Sequence, residues 1–271
     1  MKKPRTSPQP DGASAITEVL RKSTPRPTRH DSTTEKKNYA IRFATHIGER
    51  LTADLKPYFP KISATTKRSA RSVTGNKQLD VNFSTPELGL ALGISLKSVH
   101  VRDVGSAFRY THNMKRNEEE LRIEASGYHK RQPYAVMLGV LFLPFDSCTD
   151  GKSESSSFGS WVRKLRPYAG RVDPEDDIDR FEKIYIALYE PDGSDLRFFD
   201  IQCAPPRNGR PPDAEAPIDF DATCHGLLSY ADFLGAAYHS YLARNQAEFM
   251  WASGEEEPLD LAADDDDADD S

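Results

Sequence analysis

A mixed β-sheet packed between layers of helices is the fold that this 271-residue sequence predicts, and three observations predict it. Residues 78–98, QLDVNFSTPELGLALGISLKS, alternate apolar and polar in two runs punctuated by Pro86 and Gly89, the period-2 pattern of a β-hairpin. Residues 133–144, PYAVMLGVLFLP, form an almost unbroken apolar run, the pattern of a strand covered on both faces. Helical periodicities precede the hairpin and separate it from that run. The order helix, hairpin, helix, buried strand closes most simply as a mixed sheet between helices.

Taken in order, residues 1–37 are rich in Pro, Ser, Thr, Lys and Arg, with little to bury, and are expected to form a disordered basic arm. Over 39–58, Ile41, Phe43, Ile47, Leu51 and Leu55 recur at helical spacing until Pro57 and Pro60 end the pattern. In the hairpin, pairing Thr85 with Leu90 across a four-residue loop sets Val81 opposite Ile94 and Asp80 opposite Ser95, with Lys97 diagonal to Asp80. That register puts Leu79, Val81, Phe83, Leu92, Ile94 and Leu96 on one buried face, and a slip of one residue would expose them all. Over 113–130, Met114, Asn117, Leu121, Glu124, Ala125 and Tyr128 share a helical stripe, and Pro133 ends it. A short helix is expected at 158–168, a second hairpin at 181–189 and 196–203 turned by PDGS, and a closing amphipathic helix at 223–251. One domain, 38–253, and an acidic disordered tail, 254–271, complete the organisation.

The net charge of −6 is unevenly spread. Residues 254–271 hold ten acids and no base, and residues 1–37 hold nine bases against four acids, so the body between them is nearly neutral. Within the body, Lys61, Lys67, Arg68, Arg71 and Lys77 form a run without an acid, a strip suited to tracking phosphates. A second basic group, Lys115, Arg116 and Arg131 among them, surrounds the 113–130 helix; pairs such as Lys115 with Glu119 on a solvated helix explain part of it equally well. No apolar run approaches the length that spans a bilayer, and the expectation is a cytoplasmic protein without a membrane partner. Cys148, Cys203 and Cys224 are widely spaced and make no CxxC pair, so they are expected to be reduced and buried.

Asp80 followed by Ser95-Leu96-Lys97 on the partner strand resembles the PD-(D/E)XK nucleases, the restriction-endonuclease-like superfamily, and most nearly a Ser-x-Lys variant seen in some type II restriction endonucleases. The resemblance implies that superfamily's mixed sheet between helices, with a further strand before the Asp80 strand that only residues 63–76 could supply. It also implies a Mg²⁺-dependent DNA endonuclease of prokaryotic restriction or phage defence, working as a homodimer or with a partner subunit. Leu79 stands before Asp80 where the family pattern has Pro, and Ser95 stands where it has an acid. The missing carboxylate would come from the following helix: Glu124 first, because it shares the stripe with Leu121 and Tyr128, then Glu120, with Glu49 as a fallback. Asp80 and Glu124 would then bind the metal, Lys97 would position water, Ser95 would orient the cluster, and Lys67, Arg68, Arg71, Lys77, Lys115, Arg116 and Arg131 would dock DNA. A non-catalytic nucleic-acid-binding or assembly module that lost its second acid at Ser95 is the rival from another class, and an interaction protein working through its acidic tail is a third.

Overall fold

The computed structural model describes residues 11–64, 79–85, 89–103, 108–152, 155–206, 209–212 and 218–244. Helices α1 (Gly12–Ser23) and α2 (Thr33–Leu55) come first. They are followed by β1 (Ser63–Ala64), β2 (Val81–Thr85), β3 (Gly89–Ser98), α3 (Met114–His129) and β4 (Val136–Pro144). The chain continues with α4 (Ser157–Leu165), β5 (Lys183–Tyr189), β6 (Leu196–Asp200), β7 (Leu227–Leu228) and α5 (Tyr230–Arg244). Seven strands lie side by side in the order of the chain. The pairs β1/β2 and β2/β3 are antiparallel, β3/β4 and β4/β5 parallel, and β5/β6 and β6/β7 antiparallel. The two parallel steps need crossovers, which α3 and α4 supply from one side of the sheet.

Every residue of β4 is buried, as a central strand between two helix layers requires. Leu138, Val140 and Phe142 face α1, α2 and α5, while Met137, Leu141 and Leu143 face α3 and α4. A three-layer sandwich results. The predicted order of helix, hairpin, helix and buried strand is present, and so is the second hairpin, now β5 and β6, turned at Gly193 with a φ of +80° that suits glycine.

Helix α2 begins well before residue 39 because Ser32 and Glu35 form a capping box: Glu35 N donates to Ser32 Oγ at 3.2 Å, and Ser32 N to Glu35 Oε2 at 2.9 Å. Its inward stripe is Tyr39, Phe43, Ile47, Leu51 and Leu55; Ile41, read as part of that stripe, is 54% exposed. The arm expected over residues 1–37 differs in the structure from Asp11 onward. Asp11 caps α1, and Ala15, Ile16 and Val19 are buried in the α2 layer. Three small or branched apolar residues sufficed to dock a helix that composition alone marked as polar. Residues 1–10 and 254–271 lie outside the described residues.

The hairpin register has Val81 opposite Ile94 as expected, with Asp80 just outside the paired residues. A bulge between Phe83 and Ser84 moves the turn end, so Ser84 faces Leu90 and Thr85 faces Gly89. Five of the six alternating apolar residues pack toward α2. Leu79 instead packs under α3, because Gly93 leaves a gap on that face: a Cβ there would lie 2.6 Å from Leu79 Cδ1. At the far end, the expected helix start at 223 gives way to β7 and α5 begins at Tyr230, since Leu227 and Leu228 pair with Phe199 and Phe198. The same pairing brings Cys203 and Cys224 together as a disulfide, Cα atoms 5.2 Å apart, against the expectation of three reduced thiols; Cys148 alone is free and buried. No described helix is long and apolar enough to cross a membrane.

The docking of α1 is directly testable. Ile16→Ala should lower unfolding stability by about 2–5 kcal/mol in a denaturant titration, the range for truncating a fully buried side chain. An effect near zero would show that residues 11–23 are a loosely attached arm after all.

Candidate active site

In β3, Ile94 and Leu96 point toward α2, so Ser95 and Lys97, which alternate with them, point toward α3. In α3, Leu121, Glu124, Ala125 and Tyr128 fall on the stripe that faces the sheet, which delivers Glu124 to the same place. Ser95 Oγ donates to Glu124 Oε2, and Lys97 Nζ lies 2.8 Å from Glu124 Oε1. Glu120, one turn earlier, reaches Lys97 from farther off, 3.5 Å, while Arg116 holds it at 2.8 Å from the outer side. Of the two helix carboxylates, Glu124 is therefore the one that meets both Ser95 and Lys97, with Glu120 at the rim.

Asp80 sits at the bend just before β2, and the backbone N–H of Leu96 donates to its Oδ2 at 2.7 Å. The approach of α2 fixes this bend: a Cβ on Gly48 would lie 3.2 Å from the Asp80 carbonyl oxygen, so the helix lies against its backbone. Burial raises the Asp80 carboxyl to about 6; the Leu96 N–H and Lys97 pull it down, and Glu124 pushes it up. Asp80, Lys97 and Glu124 thus sense one another's charge. Burial alone would lower the Lys97 ammonium, but the attraction of Glu124, Glu120 and Asp80 outweighs it and raises it.

The remaining expected site residues are scattered. Lys67, Arg68, Arg71, Lys77 and the turn acid Glu87 lie outside the described residues. Lys115 is exposed and 3.8 Å from Glu119, the ordinary i,i+4 pair of a solvated helix. Arg131 lies beyond the last turn of α3, at the end remote from Arg116. Glu49 is exposed on α2 and belongs to no part of the cluster. Tyr128 and His129 are core residues; His129 has one ring nitrogen 3.0 Å from the Ile178 carbonyl oxygen and the other 3.2 Å from that of Ala135.

Among the described residues, no group of three or more His, Cys, Asp or Glu side chains is placed to hold a metal. Asp80 and Glu124 nonetheless meet the lighter requirement of Mg²⁺, which is commonly held by one or two carboxylates together with phosphate and water. Each Glu124 oxygen accepts one hydrogen bond and keeps a second lone pair, so Glu124 can take a cation without breaking its bonds to Ser95 and Lys97. No protein-family model, curated protein or solved structure matches the chain.

The coupling in this cluster gives signed expectations for a carboxyl-detected NMR titration. Asp80 should titrate near 6. Its midpoint should rise in Lys97→Met, which removes a stabilising cation, and fall in Glu124→Gln, which removes a repelling anion. A carboxyl held above its unfolded value binds protons more tightly in the native state, so this group favours folding at acid pH and loses that contribution as pH rises from about 4 to about 6. Asp80→Asn should accordingly gain stability relative to the parent between those limits. Midpoints that ignore both substitutions would mean the three groups are not neighbours.

Proposed function

We propose that the protein is a Mg²⁺-dependent DNA endonuclease that hydrolyses phosphodiester bonds, with the restriction-endonuclease-like architecture and a restriction or phage-defence role as its setting. One observation carries the reading: Glu124 of α3 meets Ser95 and Lys97 of β3 beside Asp80, restoring an acid, acid and lysine set from three separate elements. The order of α2, the β1–β3 meander, α3 and the buried parallel strand β4 supports it, as does β1 in the position of the strand that precedes the Asp80 strand.

In this reading Asp80 and Glu124 are the residues that hold the metal. A bound Mg²⁺ would neutralise charge on the phosphate and make a water nucleophilic near neutral pH. Lys97, a compact cation kept charged by its carboxylate neighbours, holds the attacking water and an oxygen of the scissile phosphate. Ser95 fixes the plane of Glu124, and the Leu96 N–H fixes Asp80, so the carboxylates are oriented before substrate arrives. Asp80 is a ligand only when ionised, so at limiting Mg²⁺ cleavage should rise with pH, and added Mg²⁺ should move that rise to lower pH.

Lys97→Ala, Asp80→Ala and Glu124→Gln should each reduce Mg²⁺-dependent cleavage of plasmid DNA by at least about 100-fold, the scale of losing a group that acts on the reacting centre. Glu120→Gln should retain most activity, because its carboxylate is the farther from Lys97. Cleavage that survives Lys97→Ala refutes the enzyme. Cleavage that survives Glu124→Gln and vanishes with Glu120→Gln transfers the metal-binding role to Glu120. The non-catalytic alternative would appear as salt-dependent DNA binding with no nicking by the parent protein.

A further inference from the structure

Beside the Asp80, Lys97 and Glu124 cluster lies a cavity of about 580 Å³, walled by the first turns of α2, the segment after β3 and the first turn of α3. Clefts of about 300–1,000 Å³ hold small organic ligands, and one nucleotide fits a space of this size where a stack of base pairs does not. Lys36 and Lys37 come from α2, Arg102 from the segment after β3, and His112 and Arg116 from the start of α3. Glu120 closes the side toward Lys97.

The basic groups differ in how far they are engaged. Arg102 is 2.7 Å from Asp146 and Arg116 is 2.8 Å from Glu120, while Lys36 Nζ donates to the Arg29 carbonyl oxygen and keeps its charge uncompensated. Lys37 has no polar partner among the described residues. At the start of α3, Asn113 takes a left-handed conformation and makes no capping bond with its side chain, and the Met114 N–H is taken by the Thr111 carbonyl oxygen at 3.2 Å. The helix dipole favours a phosphate there. Tyr39 and His100 also line the cavity, and Tyr39 Oη and His100 Nε2 have no hydrogen-bond partner among the described residues. The His100 ring packs against Tyr39 and Phe43, with centroids 4.9 and 4.3 Å away, and burial lowers its imidazole to about 3, so it adds no charge to the wall. Both unpartnered atoms are shut off from water in this conformation, so the size and charge of the cavity carry the weight.

We propose that this cavity holds one nucleotide of a single-stranded or frayed segment, with its phosphate between Lys36, Lys37 and the start of α3, next to the phosphate presented to Lys97. The choice of ligand rests on the phosphodiester reading above. It makes the preferred substrate a strand that can splay a nucleotide away from its neighbours, since duplex stacking must be broken to fill the cavity.

Binding measured without metal, in EDTA and by fluorescence anisotropy on the full chain, tests this apart from catalysis. The probes are a labelled single strand of about ten nucleotides, a blunt duplex of the same length, and unlabelled thymidine 5′-monophosphate as competitor. The single strand should bind more tightly than the duplex, and the mononucleotide should displace it. Lys36→Glu with Lys37→Glu should weaken single-strand binding by at least about tenfold, and His112→Ala, on the opposite wall, should weaken it in the same direction. Unchanged single-strand affinity in both variants, equal affinity for single strand and duplex, or no displacement by the mononucleotide overturns the proposal. Selective single-strand binding lost in these variants supports it, even if the parent protein never cleaves DNA. Mg²⁺-dependent cleavage with affinity indifferent to Lys36, Lys37 and His112 leaves the enzyme standing and removes the cavity from it.

Discussion

Placing Lys97 and two carboxylates between a sheet and a helix is costly unless each finds a partner, and the Glu124 bridge to Ser95 and Lys97 meets that constraint. Losing one member of a buried pair typically costs about 3–5 kcal/mol, because the survivor is stranded away from water. The bridge therefore ties α3 to β3 at one rotation and one depth. Any turn of α3 about its axis that carried Glu124 away would also withdraw Leu121, Ala125 and Tyr128 from the core, so packing and electrostatics enforce the same arrangement.

A second buried charge holds the other end of α3. Glu182, just before β5, takes Arg171 at 3.0 Å and Arg244 of α5 at 2.9 Å on one oxygen, and the N–H of Met137 at 2.7 Å on the other. His129, at the end of α3, lies 3.6 Å from the same carboxylate. Burial opposes ionisation of Glu182, but His129, the Met137 N–H and Arg244 outweigh it and hold the group below the usual carboxylate range. This hub joins elements from both helix layers through the start of the parallel strands. With α3 fixed at both ends, Glu124 and Glu120 present to Lys97 from a rigid helix rather than from a loop, which suits a site that must be set before substrate arrives.

The hairpin and its consequences were legible because period-2 alternation over 78–98 leaves only one register that buries its apolar face. Glu124 was legible for a related reason: helical geometry puts it on the stripe of Leu121 and Tyr128, and that stripe had to meet the sheet. The α1 helix was not, since Ala15, Ile16 and Val19 are too few to outweigh the polar composition around them until a groove exists to receive them. The cavity is hidden with it, because Lys36 and Lys37 belong to the same polar stretch of sequence. The Cys203–Cys224 pairing was equally hidden, as the thiols are 21 positions apart along a Pro-rich chain and only the β6 and β7 pairing brings them together.

What the sequence determined by itself is what depends on local periodicity: the strands of both hairpins, the buried β4, the faces of α2 and α3, and thereby the serine and lysine on the α3 side of β3. What only the tertiary structure decided is what depends on contacts between distant segments. It set how close Glu124 and Glu120 come to Lys97, turned Leu79 under α3 to fill the gap at Gly93, and set Lys36 and Lys37 across from the start of α3. Backbone geometry fixes which face a side chain takes within an element, whereas distance and burial between elements follow from how the layers close around the sheet.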